Sequence, residues 1–295
     1  MRIGALEAGG TKMVCAVGNE QGEIYDRCRI PTGQPEETIG AMIAWFREQK
    51  IDALGIGSFG PLDLQPASKT YGFITTTPKA GWANCDLAGT FQRALHIPVG
   101  IDTDVNASVL GEVTYGQAGG KSTVLYLTVG TGVGLGVYCN GALHHGILHP
   151  EGGHVLVGID PEDPAGSICP YHPDCLEGLA SGPSIEKRWG KSAAELAQHP
   201  EVWELEARYL AKALVDYICI LAPEQIILGG GVMKQRQLFP LLRKEVQRLL
   251  NGYLAVEALQ HPETYIVPES LGGDQGILGC LQIGLGAWKF KQKEE

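Results

Sequence analysis

Arg2-Ile3-Gly4-Ala5-Leu6-Glu7-Ala8-Gly9-Gly10-Thr11-Lys12-Met13-Val14-Cys15-Ala16-Val17 holds two apolar runs parted by a glycine-rich break. The runs Arg2 to Glu7 and Met13 to Val17 read as strands, and Ala8 to Lys12 reads as the tight loop between them. Gly18 to Gly22 is a turn, and Ile24 to Ile30 is a third strand. The order returns in mid-chain. Thr123 to Val129 is a strand, Gly130 to Gly134 a glycine loop, and Leu135 to Cys139 a strand. Asn140-Gly141 is a hairpin signal, and Ala142 to Ile147 is a third strand. Both halves therefore open strand, glycine loop, strand, turn, strand, a duplication of architecture rather than of residue identity. An α/β chain of two related domains is expected, parted near Gly116-Gln117-Ala118-Gly119-Gly120.

The intervening segments read as helices and buried strands. Pro35 to Gln49 carries Ile39, Met42, Ile43 and Phe46 on one face of a helix. Ala53 to Gly57 is a buried strand running into the loop Ser58-Phe59-Gly60-Pro61. Asp86 caps a helix to Leu95. Pro98 to Ile101 is a strand, and Asp102-Thr103-Asp104-Val105-Asn106 opens a helix to about Tyr115. Further on, a long helix runs from Pro200 to Ala222, and Glu224 to Leu228 is a buried strand ending in Gly229-Gly230-Gly231. A helix over 238–250, a strand over 264–267 and a terminal helix to about Phe290 complete the chain.

A length of 295 residues suits one large domain or two ordinary ones. The formal net charge of -10 argues against nucleic-acid binding, which needs a basic face. No signal sequence and no span long enough for a bilayer is read, so a cytoplasmic protein without a membrane partner is expected. Of the eight cysteines, Cys15, Cys139 and Cys219 sit in apolar runs that read as core.

The chemistry concentrates in a few places. Glycine lets backbone N–H groups approach phosphate oxygens, and three loops offer this: Gly9-Gly10-Thr11, Gly130-Thr131-Gly132 and Gly229-Gly230-Gly231. Asp104 stands at a strand's carboxyl end and a helix's start. It reads either as an N-cap carboxylate or as the general base that phosphoryl transfer to a hydroxyl requires. Asn106 could hydrogen-bond a substrate hydroxyl. Glu7 suits a polar loop contact or a Mg²⁺-bound water. Trp82 reads as a sugar-stacking ring or as core. His144, His145 and His149 lack partner spacing and read as surface or loop residues. Finally, Glu151-Gly152-Gly153-His154 precedes Cys169-Pro170-Tyr171-His172-Pro173-Asp174-Cys175-Leu176-Glu177. His154, Cys169, His172 and Cys175 form a four-ligand set of the kind that closes a structural zinc site. Such a clip would fix the carboxylates of Glu151 and Glu177 on either side of it.

Taken in order, these motifs resemble the ROK family of sugar kinases within the actin-like ATPase superfamily. Glu7 to Lys12 is similar to its first phosphate motif, and Asp102 to Asn106 to its catalytic segment. Leu127 to Gly136 is similar to the second phosphate motif, Glu151–His154 and Cys169–Glu177 to the sugar and zinc signature, and Ile227 to Gly231 to the adenosine motif. Glu7 stands where the family usually has Asp, and His172 replaces one of three usual cysteines. Both variants resemble the fructokinase branch, and Thr103 replaces an Asn common in glucokinases.

The resemblance implies two actin-like, ribonuclease H-like domains flanking an active-site cleft. Residues 1–118 with a C-terminal helix from about 279 to 295 would form the small domain. Residues 119–278, with the zinc-bound insertion, would form the large one. It implies ATP-dependent phosphorylation of a hexose, most closely fructose, with glucose, mannose or N-acetylmannosamine as alternatives and a non-catalytic sugar-binding protein as a further one. Asp104 would be the base. Gly60, Trp82, Thr103, Asn106, Glu151, His154 and Glu177 would meet the sugar. Gly9, Gly10, Thr11, Lys12, Gly130, Thr131, Gly132, Gly229, Gly230 and Gly231 would meet ATP, which enters with Mg²⁺. A homodimer is implied.

Overall fold

The computed structural model describes residues 1–294, with side chains to 293. The chain divides into two compact units, one of residues 1–120, 143–150 and 270–295, the other of residues 121–142 and 151–269.

The first unit is built on a five-stranded sheet. Its strands are β1 (Ile3–Ala8), β2 (Lys12–Gly18), β3 (Ile24–Pro31), β4 (Ala53–Ser58) and, after a short ribbon of β5 (Phe73–Ile74) and β6 (Cys85–Asp86), β7 (Val99–Thr103). The order is β3-β2-β1-β4-β7, antiparallel across β3-β2-β1 and parallel across β1-β4-β7. Helices α1 (Pro35–Gln49) and α2 (Leu87–Leu95) pack on one face, burying Met42, Phe46 and Phe91 against Leu6, Leu54 and Ile56. The other face takes α3 (Asp104–Tyr115) and the C-terminal helix Gln275–Glu294. That helix sits very close to the sheet and to α3. A side chain at Gly55 would strike the Cys280 carbonyl, and one at Gly279 would strike that of Ala107. Glycine is what allows this backbone-to-backbone approach.

The second unit repeats the pattern with β8 (Val124–Val129), β9 (Val133–Cys139), β10 (Ala142–Leu143), β11 (Gln225–Gly229) and β12 (Ile266–Pro268) in the order β10-β9-β8-β11-β12. β8 and β9 are antiparallel, and β8-β11-β12 are parallel. Asn140 and Gly141 both have positive φ, 53° and 81°, as the two-residue hairpin requires. The expected third strand over 142–147 is cut to Ala142–Leu143 because the chain leaves the sheet there for the loop 144–150. Helices α4 (Leu176–Ala180), α5 (Gly182–Trp189), α6 (Pro200–Leu221) and α7 (Leu238–Leu250) share one hydrophobic core with the sheet. Leu205, Tyr209, Leu210, Leu214 and Ile218 of α6 are all buried, as their spacing predicts.

The core of this unit also holds a polar knot. Arg188, its side chain 4% exposed, pairs with Asp163 at 2.8 Å and donates to the Leu179 carbonyl. The Tyr209 hydroxyl donates to Asp163 at 2.7 Å and accepts from the Asp160 N–H, while Arg208 grips the Asp160 carboxylate at 2.8 Å. These bonds fasten residues 160–163 to α5 and α6. Glu206 lies in the same core, 1% exposed, with no hydrogen-bond partner for either oxygen among the described residues. Burial pushes its carboxyl well up, against a smaller opposing pull from Arg188. A folded-state acid with a raised pKa costs stability as pH climbs from the unfolded value to the folded one. Glu206→Gln is therefore expected to raise stability at neutral pH by on the order of 1–3 kcal/mol. The gain should vanish below the ordinary glutamate range. Urea denaturation of both proteins across that range checks it.

Among the described residues no helix is long and apolar enough to cross a membrane.

Candidate active site and metal centre

In the first unit the site is assembled where β7 gives way to α3. Thr103, not Asp104, is the N-cap, its hydroxyl accepting from the Asn106 N–H at 3.1 Å. That corrects the capping alternative for Asp104 and leaves its carboxyl to another task. Asp104 occupies the first helical position, half-buried. Burial pushes its carboxyl up, and the Val105 N–H, donating at 2.9 Å, partly offsets this. The result is a carboxylate more basic than an exposed one. Asn106 is fully buried, and its side-chain amide donates to Asp102 at 2.8 Å.

Asp102 is a centre that sequence reasoning passed over. One oxygen accepts from the Thr103 N–H and from Asn106; the other meets His145 Nε2 at 2.8 Å. His149 is buried and accepts the Leu62 N–H on Nε2 at 3.0 Å. Both histidines lie in a loop, as read from the sequence, but both have partners that the spacing did not show. Their partners lie 43 and 87 residues away in sequence, so no local spacing could reveal them. Burial holds the His149 imidazole below its usual range, whereas the hydrogen bond to Asp102 raises that of His145.

A raised histidine contributes stability that is complete below its unfolded pKa and is lost as pH rises through the folded one. His145→Ala should accordingly cost stability at mildly acid pH and little at alkaline pH. Exposure of the ring limits the loss to below about 1 kcal/mol. Paired urea midpoints on either side of neutrality test this.

The loop Gly9–Lys12 closes with the Gly9 N–H on the Lys12 carbonyl at 3.1 Å. The edge strand braces it. Thr32 donates its N–H to the Thr11 carbonyl and its hydroxyl to the Gly9 carbonyl at 2.8 Å. The ammonium of Lys79 caps the Gly10 carbonyl. Thr11, Lys12 and Gly10 are exposed. Gly60 stands beside the His149 ring. Trp82 is the residue the structure reassigns. It is completely buried, edge-on to Phe59 at 5.7 Å, with its N–H on the Gly33 carbonyl. It offers no face to a sugar, and its role is packing.

In the second unit, Gly130-Thr131-Gly132 turns between β8 and β9, the Gly130 N–H donating to the Gly132 carbonyl at 2.8 Å. Gly182, at the head of α5, donates to the Gly130 carbonyl at 2.7 Å. Gly229 ends β11, and Gly230-Gly231 follow it. Gly230 has φ +92°, and a side chain there would enter the Val129 backbone, so only glycine fits.

His154, Cys169, His172 and Cys175 come together with all four ligand atoms within 4.8 Å of one another. His154 Nδ1 lies 3.6 Å from the Cys175 sulfur, and His172 Nδ1 3.6 Å from that of Cys169. Two thiols and two imidazoles converging this closely are a donor set that fits zinc in tetrahedral coordination. The His/Cys cluster is linked to the loop Gly130–Gly132. Cys175 caps α4, accepting the Gly178 N–H. One helical residue on, Glu177 accepts the Val133 N–H at 3.0 Å and lies 3.8 Å from His154 Nε2. Glu151, at the start of the turn Gly152–His154, is exposed. A metal clip would therefore fix Glu177 and, through it, the end of the loop Gly130–Gly132.

Paired units of strand, glycine loop and strand under helices, with an aspartate at a strand end, define an actin-like ATPase fold. A sequence profile of the ROK family matches residues 3–286, and the chain belongs to that family. A Bacillus subtilis (strain 168) protein provisionally named a fructokinase is 51% identical over 282 residues, covering 95% of this chain and 94% of the relative. A Pediococcus pentosaceus fructokinase is 45% identical, covering 98% of this chain and 99% of its own. The solved ROK hexokinase of Thermus thermophilus superposes with a TM-score of 0.80 over the whole of both chains at 26% identity.

Proposed function

We propose that this chain is an ATP-dependent fructokinase that transfers the γ-phosphoryl group to the primary hydroxyl of fructose, giving fructose 6-phosphate. The observation that carries the substrate is a gradient of likeness. Relatives named as fructokinases share from 38% to 51% identity with this chain, and a Halalkalibacterium halodurans glucokinase shares 28%. The half-buried, basic carboxyl of Asp104 supports the chemistry.

Asp104 accepts the proton of the attacking hydroxyl. Gly60, Glu151, His154 and Glu177 hold the remaining sugar hydroxyls. Thr103 and Asn106 are buried and support the site from behind: Thr103 caps α3, and Asn106 is held by Asp102, which His145 anchors in turn. The backbone of Gly9, Gly10 and Thr11, with Lys12, and of Gly130, Thr131 and Gly132 receives the phosphates of Mg-ATP. Gly229, Gly230 and Gly231 receive the adenosine end. His154, Cys169, His172 and Cys175 would hold zinc, which would supply rigidity rather than chemistry. His154 Nε2 and Glu177 would then stay oriented toward ligand. The assembly we expect is a homodimer.

A coupled ADP-release assay with fructose, glucose, mannose and N-acetylmannosamine tests the assignment. The expected result is a kcat/KM for fructose well above the rest. A preference for another hexose would move the substrate while keeping the kinase. Saturable sugar binding without ADP release would remove the kinase.

A further inference from the structure

Two thiols outside the metal knot face each other across the sheet of the first unit. Cys15 on β2 is the direct antiparallel partner of Cys28 on the edge strand β3. Opposed residues in an antiparallel pair place their side chains on the same face with Cα atoms about 4.5–5.5 Å apart, inside the window a disulfide spans. Cys15 and Cys28 are therefore neighbours on one face of the sheet. Both are free. Their settings differ: Cys15 is completely buried against Met42 and Phe46, whereas Cys28 is only partly covered at the sheet edge.

We propose that Cys15 and Cys28 form a reversible oxidation site, in which Cys28 reacts with a hydroperoxide and Cys15 resolves the product as a cross-strand disulfide. The Cys28 thiolate attacks one peroxide oxygen, breaking the O–O bond, and becomes a sulfenic acid as the hydroperoxide leaves as an alcohol, or as water from hydrogen peroxide. The Cys15 thiol gives up its proton, its sulfur attacks the sulfenic sulfur, and the sulfenic hydroxyl leaves with that proton as water. Two electrons pass from the thiol pair to the peroxide. A small dithiol returns both thiols by exchange. The neighbouring Cys15 thiol lowers Cys28 toward its reactive thiolate, whereas Cys28 and burial keep the proton on Cys15. The bond would tie together the two strands whose far end braces the Gly9–Lys12 loop through Thr32.

The test treats the zinc-loaded full chain with hydrogen peroxide, blocks residual thiols and maps tryptic peptides, cleavage after Arg27 separating the two cysteines. Expected is a linked pair containing Cys15 and Cys28, lighter by two hydrogen atoms and released by dithiothreitol. In Cys15→Ala, dimedone should label Cys28; in Cys28→Ser, Cys15 should stay unlabelled. Recovery of both cysteines as separate alkylated peptides after peroxide treatment would overturn the proposal. So would dimedone labelling of Cys28 in the wild-type chain with no linked pair.

Discussion

Asp104→Asn is expected to lower kcat with fructose by about 10²–10⁴-fold, the range a positioned general base contributes. Asparagine keeps the size of the side chain and an oxygen to accept the Val105 N–H. It cannot accept the hydroxyl proton. Thr103 still caps α3 and Asp102 still holds Asn106, so the start of the helix should survive. Binding of ATP, followed by fluorescence titration, should change little, and the thermal midpoint should stay the same or rise, because an unfavourably buried carboxylate is removed. The wild-type pH profile carries a matching signature. Burial raises the Asp104 carboxyl, so the acid limb of kcat/KM should lie above the ordinary carboxylate range, with activity lost as pH falls through it. Near-wild-type turnover by Asp104→Asn would show that another group takes the proton.

Stripping the metal, or replacing Cys175 by Ala, is expected to be the most destabilising change to the second unit. Structural zinc in small peptides contributes apparent binding energies of about 10–16 kcal/mol, comparable to the whole stability of a domain. Cys175 also caps α4, so its loss removes both a ligand and the acceptor for the Gly178 N–H. Without the clip, Glu177 loses its fixed position under Val133, and the loop Gly130–Gly132 loses that brace. Calorimetry with and without a chelator should show a large fall in the unfolding midpoint, restored by added zinc. Metal analysis of the untreated protein should return one zinc per chain. A chain free of metal with an unchanged midpoint would reduce the four ligands to incidental neighbours.

Both predictions rest on features legible in the sequence to different degrees. The strand–loop–strand repeat, the Asn140-Gly141 hairpin and the α6 core face follow from local spacing, which is why they survive folding intact. The His/Cys set was legible because four ligands of two types crowd into a short stretch. The Asp102 cluster was not, since His145 reaches Asp102 only through tertiary structure. Trp82 shows the reverse limit: composition cannot say whether an aromatic faces ligand or core, and here its indole N–H finds a backbone carbonyl indoors. Glu206 shows it too. Its neighbours Leu205 and Tyr209 predict a buried face, yet a charged residue within that face reads as solvated until its surroundings are seen.

The central claim is phosphoryl transfer to fructose, and product identity tests it most directly. Incubation with Mg-ATP and fructose, followed by phosphorus NMR and enzymatic conversion by phosphoglucose isomerase, should yield fructose 6-phosphate in step with ADP. A phosphate ester at another hydroxyl, or ADP and inorganic phosphate with no sugar phosphate, would contradict it.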